Sequence, residues 1–236
     1  MRKRGLVAVL CGVSVLVWGG RAWAADLTLA ERNWLQAARP VLQYAREQAL
    51  PLDLVVQPQP TPGETPVGMA YLNGRCKLVL SMRGNPEAER MLAALDASLV
   101  GPVVESIAAH ELAHCWRHVS GAWGTLPGQV KDVSALERLS PAHAELLREM
   151  WSTRREEGLA DLVGLAWTQQ HHPGSYAAVL AWTRAMRADQ PVDTGPHDTR
   201  AWLRLALDPA CFVAAAPLFE RAQALWLAGL QADARP

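Results

Sequence analysis

The sequence predicts an α+β domain dominated by helix, with a small antiparallel sheet placed ahead of the long helices. Two observations predict this. Short β-like runs fall between residues 52 and 80, punctuated by a proline-rich stretch and by Asn73-Gly74. From residue 86 onward, apolar residues recur at helical spacing between caps and stops. The 236 residues, half of them apolar, suffice for one domain with a real core. No internal repeat, low-complexity tract or linker divides it.

The chain opens on Met1-Arg2-Lys3-Arg4, an apolar stretch from Gly5 to Trp18 and Ala22-Trp23-Ala24. A basic start, an apolar centre and an A-x-A site predict a secretory signal peptide over residues 1–24. The apolar run is short for a membrane span and is followed by Arg21, so no stable span is expected after cleavage. Residues 25–236 are then a single domain, periplasmic or secreted. That segment keeps 19 basic and 23 acidic residues, a net charge of −4. It has no basic stripe, which excludes nucleic acid as an expected partner.

Residues 28 to 49 read as a helix, with Trp34, Leu35, Ala38, Val41, Leu42 and Ala45 on one face; Pro40 is expected to kink or split it. Leu52 to Val56 is a short β-like run. Pro58, Pro60, Pro62, Gly63 and Pro66 make a loop. Val67 to Leu72 and Arg75 to Leu80 flank Asn73-Gly74, the preferred two-residue hairpin turn. An exposed edge of that sheet can receive an extended peptide as an added strand. Asn85-Pro86 caps and begins a helix to about Ser98. Gly101-Pro102 starts the next, which ends near Ser120-Gly121. Ser140-Pro141 opens a long helix to about Gln170. Ser175 is expected to cap a helix to Ala188, and Asp198 or Thr199 one to about Asp208. A last helix covers about Ala215 to Leu230.

Within the helix from Gly101 stands His110-Glu111-Leu112-Ala113-His114. Residues four apart on a helix sit one above the other. Two imidazoles so placed can bind one metal ion, and Glu111, one step round, can reach a water on it. This H-E-x-x-H is the pattern of zinc-dependent peptidases. Catalytic zinc takes three protein ligands and keeps one position open. His118 cannot be the third, because it lies about 12 Å along the helix from His110. Arg117 and Ser120 stand where H-E-x-x-H-x-x-G-x-x-H needs Gly and His, so that class is excluded.

Glu157 and Asp161 are better placed. They are four apart, on a helix otherwise rich in apolar residues, where an unpaired carboxylate is very costly. Glu157 can bind the metal, and Asp161 can accept the free ring N–H of one histidine and fix its orientation. Gly158, Ala160 and Gly164 are small enough to let two helices approach closely. Pairing of the two acids with Arg154, Arg155 or solvent is the bland alternative.

H-E-x-x-H followed by Glu157-Gly158-Leu159-Ala160-Asp161, an E-x-x-A-D, resembles the glutamate-ligand zincins (gluzincins), and among them the M48-type peptidases, over roughly residues 67 to 205. The resemblance implies a zincin-like fold, Zn2+ on His110, His114 and Glu157, and Glu111 as catalytic carboxylate. These peptidases also carry a histidine after the third-ligand helix. Pro196-His197-Asp198-Thr199-Arg200 occupies that region, without the proline that usually follows the histidine and with a different arginine spacing. The resemblance implies His197 as the transition-state donor, the alternative being a loop histidine beside a helix cap; Tyr176 and Arg200 are further candidates for steadying an oxyanion.

The expected function is an exported zinc metalloendopeptidase that hydrolyses protein or peptide with a zinc-activated water and Glu111 as general base. The alternative is a non-catalytic, zinc-bearing binding or assembly protein of the envelope on the same fold; a blander one is an accidental H-E-x-x-H. Cys76, Cys115 and Cys211 favour one disulfide in an oxidising compartment, with three pairings open. Cys115 lies about 100° round the helix from His114, so it reads as packed or disulfide-bonded rather than ligating. His143, His171 and His172 read as surface residues. The tryptophans read as core, with Trp123 a candidate groove residue.

Overall fold

The computed structural model describes residues 26–58, 65–121, 140–188, 195–212 and 215–233; the expected signal peptide and Trp123 lie outside these. The described chain is a mixed α+β domain. Helix α1 (Leu29–Glu47) begins with a capping box, the Thr28 hydroxyl accepting from the Glu31 amide and the Glu31 carboxylate from the Thr28 amide. Trp34, Ala38, Val41 and Ala45 form its buried stripe. Pro40 does not split the helix. It sits on the exposed face with Gln36, whose carbonyl loses its intrahelical donor where water can replace it.

Strands β1 (Leu52–Pro58), β2 (Val67–Leu72) and β3 (Arg75–Arg83) form one sheet in the order β1-β3-β2. The hairpin falls as expected: Leu72 pairs with Arg75, and Asn73 and Gly74 both adopt positive φ, 53° and 76°. The expectation of a purely antiparallel sheet is corrected, because β1 pairs parallel to β3, from Leu52 opposite Cys76 to Val56 opposite Leu80. No hairpin joins β1 to β2. Both strands pair with β3, on opposite sides of it, and β1 ends at the same end of the sheet at which β2 begins, so β2 runs antiparallel to its neighbour and β1 parallel. Strand β2 is left as an edge. On β3, Cys76, Leu78, Leu80 and Met82 alternate into the core.

Helix α2 (Pro86–Ala93) is shorter than expected, and α3 (Ala97–Ser120) starts a turn earlier, behind Asp96, with Pro102 buried inside it. A disulfide joins Cys76 on β3 to Cys115 on α3, settling the pairing and leaving Cys211 as a free thiol. Helix α4 (Pro141–His171) starts at Ser140, whose side chain accepts from the His143 amide. Every residue from Gly158 to Thr168 is buried, so this stretch, apolar all round apart from Asp161 and the terminal Thr168, is the axis of the domain.

Two glycines of α4 are sites of close approach. A Cβ on Gly164 would lie 2.7 Å from the Ser106 carbonyl oxygen of α3. A Cβ on Gly158 would lie 2.5 Å from the Trp202 ring. Small residues do admit a neighbouring helix here, but Gly158 faces Trp202 rather than α3. Trp202 belongs to α6 (Arg200–Leu205), after α5 (Tyr176–Ala188). On its other side Trp202 meets Gly229 of α7 (Leu218–Asp233), and its Nε1–H donates to the Trp226 carbonyl at 3.0 Å. Ser175 does not cap α5; it closes a 3-10 turn, Pro173–Ser175, that leads into the helix. Buried Glu105 of α3 accepts from Trp167 Nε1–H at 2.8 Å and lies 2.9 Å from His172 Nε2, so His172 is not the plain surface residue expected. Among the described residues, no helix is long and apolar enough to cross a membrane.

Glu31 also pairs with Arg83 at the end of β3, 2.9 Å away, and is fully buried. Burial pushes its carboxyl up, but Arg83 and the Thr28 amide outweigh this and hold it below the ordinary 4.5. Its contribution is therefore present above pH 4.5 and lost as pH falls through the lowered native value. Glu31→Ala should cost about 2 kcal/mol at pH 7, with the difference from wild type shrinking in acid, read by urea unfolding. Gly164→Ala should cost about 1–3 kcal/mol, because the Ser106 backbone cannot move aside. A thermal midpoint within a degree of wild type would contradict the close α3–α4 approach.

Candidate metal centre

Helix α3 supplies His110 and His114 and helix α4 supplies Glu157. One ligand atom of each lies within 4.8 Å of the others, a group that can hold a metal ion. The imidazole Nε2 atoms stand 3.2 Å apart. Glu157 Oε2 is 3.6 Å from His110 Nε2, and Oε1 is 3.6 Å from His114 Nε2. The other ring nitrogens are both engaged. His110 Nδ1 lies 3.0 Å from Asp161 Oδ1, and His114 Nδ1 lies 2.8 Å from Glu156 Oε1. An ionised carboxylate only accepts, so each Nδ1 carries the proton. With both imidazoles neutral, as metal ligation requires, the two Nε2 lone pairs then face each other and Glu157. That arrangement is repulsive by itself and fits a shared cation.

Each carboxylate behind a histidine is held by a guanidinium. Arg117 Nη1 reaches Glu156 Oε2 at 2.5 Å. Arg187, on α5, donates from Nε to Asp161 Oδ2 at 2.9 Å and from Nη2 to Asp161 Oδ1 at 2.7 Å. Its Nη2 also donates to Glu157 Oε2 at 2.8 Å. The Thr199 hydroxyl donates to Asp161 Oδ2 at 2.6 Å. Asp161 thus accepts at both oxygens from three residues. Burial pushes its carboxyl up, but Arg187 and His110 outweigh this and hold it well below the usual carboxylate range. Glu157 is likewise held down, by His110, Arg187 and His114 against its burial. Burial would lower His114; the bond to Glu156 and the charges of Glu111 and Glu157 outweigh it and hold the imidazole up at about 9.

Four carboxylates (Glu111, Glu156, Glu157 and Asp161) thus face two guanidiniums (Arg117 and Arg187), a net of two negative charges with all four ionised and the imidazoles neutral. One divalent cation balances them. Glu111 lines the same cleft, which has a volume of about 490 Å³. Burial pushes its carboxyl upward, against the pull of His110 and His114. The start of β2 and the two residues before it, Thr65 to Met69, form one wall of the cleft, and Trp182 and Met186 of α5 form part of another.

His197 lies at the cleft, half-exposed, with Nε2 3.9 Å from Glu157 Oε1. Tyr176 and Arg200 do not join it. The Tyr176 hydroxyl is buried and donates to the Ala206 carbonyl at 2.7 Å, and Arg200 forms a two-point pair with Asp198; neither lines the cleft. His118 stacks on Tyr71, as its exclusion from the ligand set requires. Arg154, one of the expected partners of the acidic pair, donates instead to the Gly195 carbonyl at 3.1 Å.

Sequence reasoning missed the roles that Glu156, Arg117, Arg187 and Thr199 play here, as partners one layer behind the candidate ligands. The doubled Glu156-Glu157 was a usable signal, since adjacent helical residues point about 100° apart and can serve two histidines. Arg187 comes from another helix and has no local signal. Set against known protein families, curated proteins and solved structures, the chain gives no match.

The purified protein should bind one divalent cation per chain, measured by metal analysis and competition with a chelating dye. His110→Ala or His114→Ala should abolish that stoichiometry. Asp161→Asn and Glu156→Gln should each weaken affinity by about 10–100-fold through loss of ring orientation. Unchanged affinity in both carboxamide variants would contradict the outer hydrogen bonds.

Proposed function

We propose that the chain is a zinc-dependent endopeptidase of the gluzincin type, on a zincin-like fold, acting on protein or peptide outside the cytoplasm. The observation that carries this reading is the convergence of two Nε2 atoms and one carboxylate beside a second carboxylate, Glu111, buried in the same cleft. Two imidazoles and a glutamate are a donor set suited to Zn2+ with an open position. Zn2+ held there would lower the pKa of a water to about 7 and polarise a carbonyl.

The chain's own residues supply the rest. Glu111, its carboxyl raised by burial, is poised to take a proton from the attacking water and return it to the leaving amine. His197, at the cleft beside Glu157, is placed to donate to an oxyanion that develops at the carbonyl. The exposed edge of β2 offers backbone groups to an extended peptide running past the histidines. The residue 1–24 segment and the Cys76–Cys115 disulfide support an oxidising compartment, periplasmic or extracellular.

Glu111 separates this reading from a zinc-bearing binding protein, which does not need that carboxylate. With a quenched peptide library as substrate, Glu111→Gln should keep its metal and lose turnover by about 10²–10⁴-fold. His197→Ala should lower kcat more than it raises KM. Full activity of Glu111→Gln at full metal load would sink the role given to that residue.

A further inference from the structure

We infer that Arg187 is a positioning residue that restricts Glu157 to ligation through a single oxygen, and so keeps a coordination position open. The inference rests on the metal-binding reading of His110, His114 and Glu157, not on peptide hydrolysis. Both oxygens of Glu157 are equally near the imidazoles, Oε2 at 3.6 Å from His110 Nε2 and Oε1 at 3.6 Å from His114 Nε2. Distance to the histidines therefore does not choose between them, and an unconstrained carboxylate at this spot can present both. Arg187 makes the choice. Its Nη2–H donates to Oε2 at 2.8 Å, a charge-assisted bond that takes one lone pair of that oxygen and draws charge from it, while Oε1 faces His114 and the half-exposed His197.

The guanidinium is held for this task. Nε and Nη2 grip the two oxygens of Asp161 at 2.9 and 2.7 Å, which fixes the plane of the fork. Asp161 is itself anchored by the Thr199 hydroxyl and His110 Nδ1. Arg187 is also largely buried. A lysine has no planar fork and cannot hold Asp161 at two points while reaching Glu157. Arg187 further places a positive charge against a ligand carboxylate, which makes Glu157 a weaker donor and leaves more charge on the cation.

Two roles for Arg187 predict different results. A merely structural arginine, once removed, loosens Asp161 and His110, and metal affinity falls by the roughly 10–100-fold usual for an outer partner. The role proposed here predicts retention. Removing a positive charge and freeing Oε2 both favour the cation, so Arg187→Met keeps its metal while Glu157 moves to two-oxygen ligation.

The test is zinc-edge X-ray absorption on the zinc-loaded full chain, with electronic spectra of the cobalt-loaded form. Wild type, Arg187→Met, Arg187→Lys and Asp161→Asn are compared, each with a zinc titration. Expected are a single carboxylate oxygen in wild type, a higher coordination number with weaker cobalt absorption in Arg187→Met, and no loss of affinity. Asp161→Asn, which leaves the Arg187–Glu157 bond available, should keep the wild-type coordination number. Arg187→Lys stands in if Arg187→Met does not fold, and should show both ligation modes. Unchanged coordination in the Arg187 variants, a tenfold or greater loss of affinity in Arg187→Met, or a higher coordination number in Asp161→Asn would overturn the inference. Failure of metal-loaded wild type to cleave any peptide would count against the proposed function and leave this inference standing.

Discussion

The close packing of α4 on α3 is the constraint on which the rest of the structure depends. The two helices carry all three candidate ligand residues, and neither carries a complete set. Gly164 sets the approach, with no room for even a methyl group against the Ser106 carbonyl. Glu105 pins the far end of the pair through Trp167. On the other side of α3, the Cys76–Cys115 disulfide ties the residue next to His114 to the central strand of the sheet. The ligand helix is thereby fixed from two directions, which is how a site is held to within a fraction of an ångström.

How much of this was legible in the sequence depended on range. Features encoded within a few residues were readable: the Asn73-Gly74 hairpin, the Ser140-Pro141 helix start, and His110 and His114 four apart on one face. Glu157 and Asp161 were readable too, because acids in an apolar helix demand partners. Features that depend on distant chain were not. The parallel pairing of β1 with β3 joins strands separated by β2 in sequence, an order that no local periodicity records. Arg187 answers the same demand that flagged Glu157 and Asp161, but a sequence does not say which of its arginines will arrive. Tyr176 was misread because a phenol near a candidate site and a phenol satisfied by a distant carbonyl look alike in sequence. The disulfide was one of three allowed pairings until geometry chose.

The electrostatics of the site follow from its burial. A carboxylate removed from water must find compensation, and here guanidiniums compensate only part of the negative charge. The bond to Glu156 and the charges of Glu111 and Glu157 hold the His114 imidazole up against its burial. The same imbalance that makes the unliganded cluster costly makes it receptive to a doubly charged ion. Its outer layer of Arg117 and Arg187 sets how large that imbalance is. A fully neutralised cluster would be more stable by itself and poorer at holding a cation.

Thr199 shows what this arrangement demands of the fold. It stands at the N-cap of α6, where a threonine ordinarily accepts a bond from the helix backbone, yet its side chain makes no cap bond and its hydroxyl is turned to Asp161. Helix α6 has only six residues, far too few to persist alone. It persists because Trp202 is wedged between Gly158 and Gly229. Local order in the last third of the chain and alignment of the imidazoles are therefore one cooperative event. Whatever frays α6 removes one of the three partners of Asp161, so the setting of His110 depends in part on a segment nearly ninety residues further along the chain.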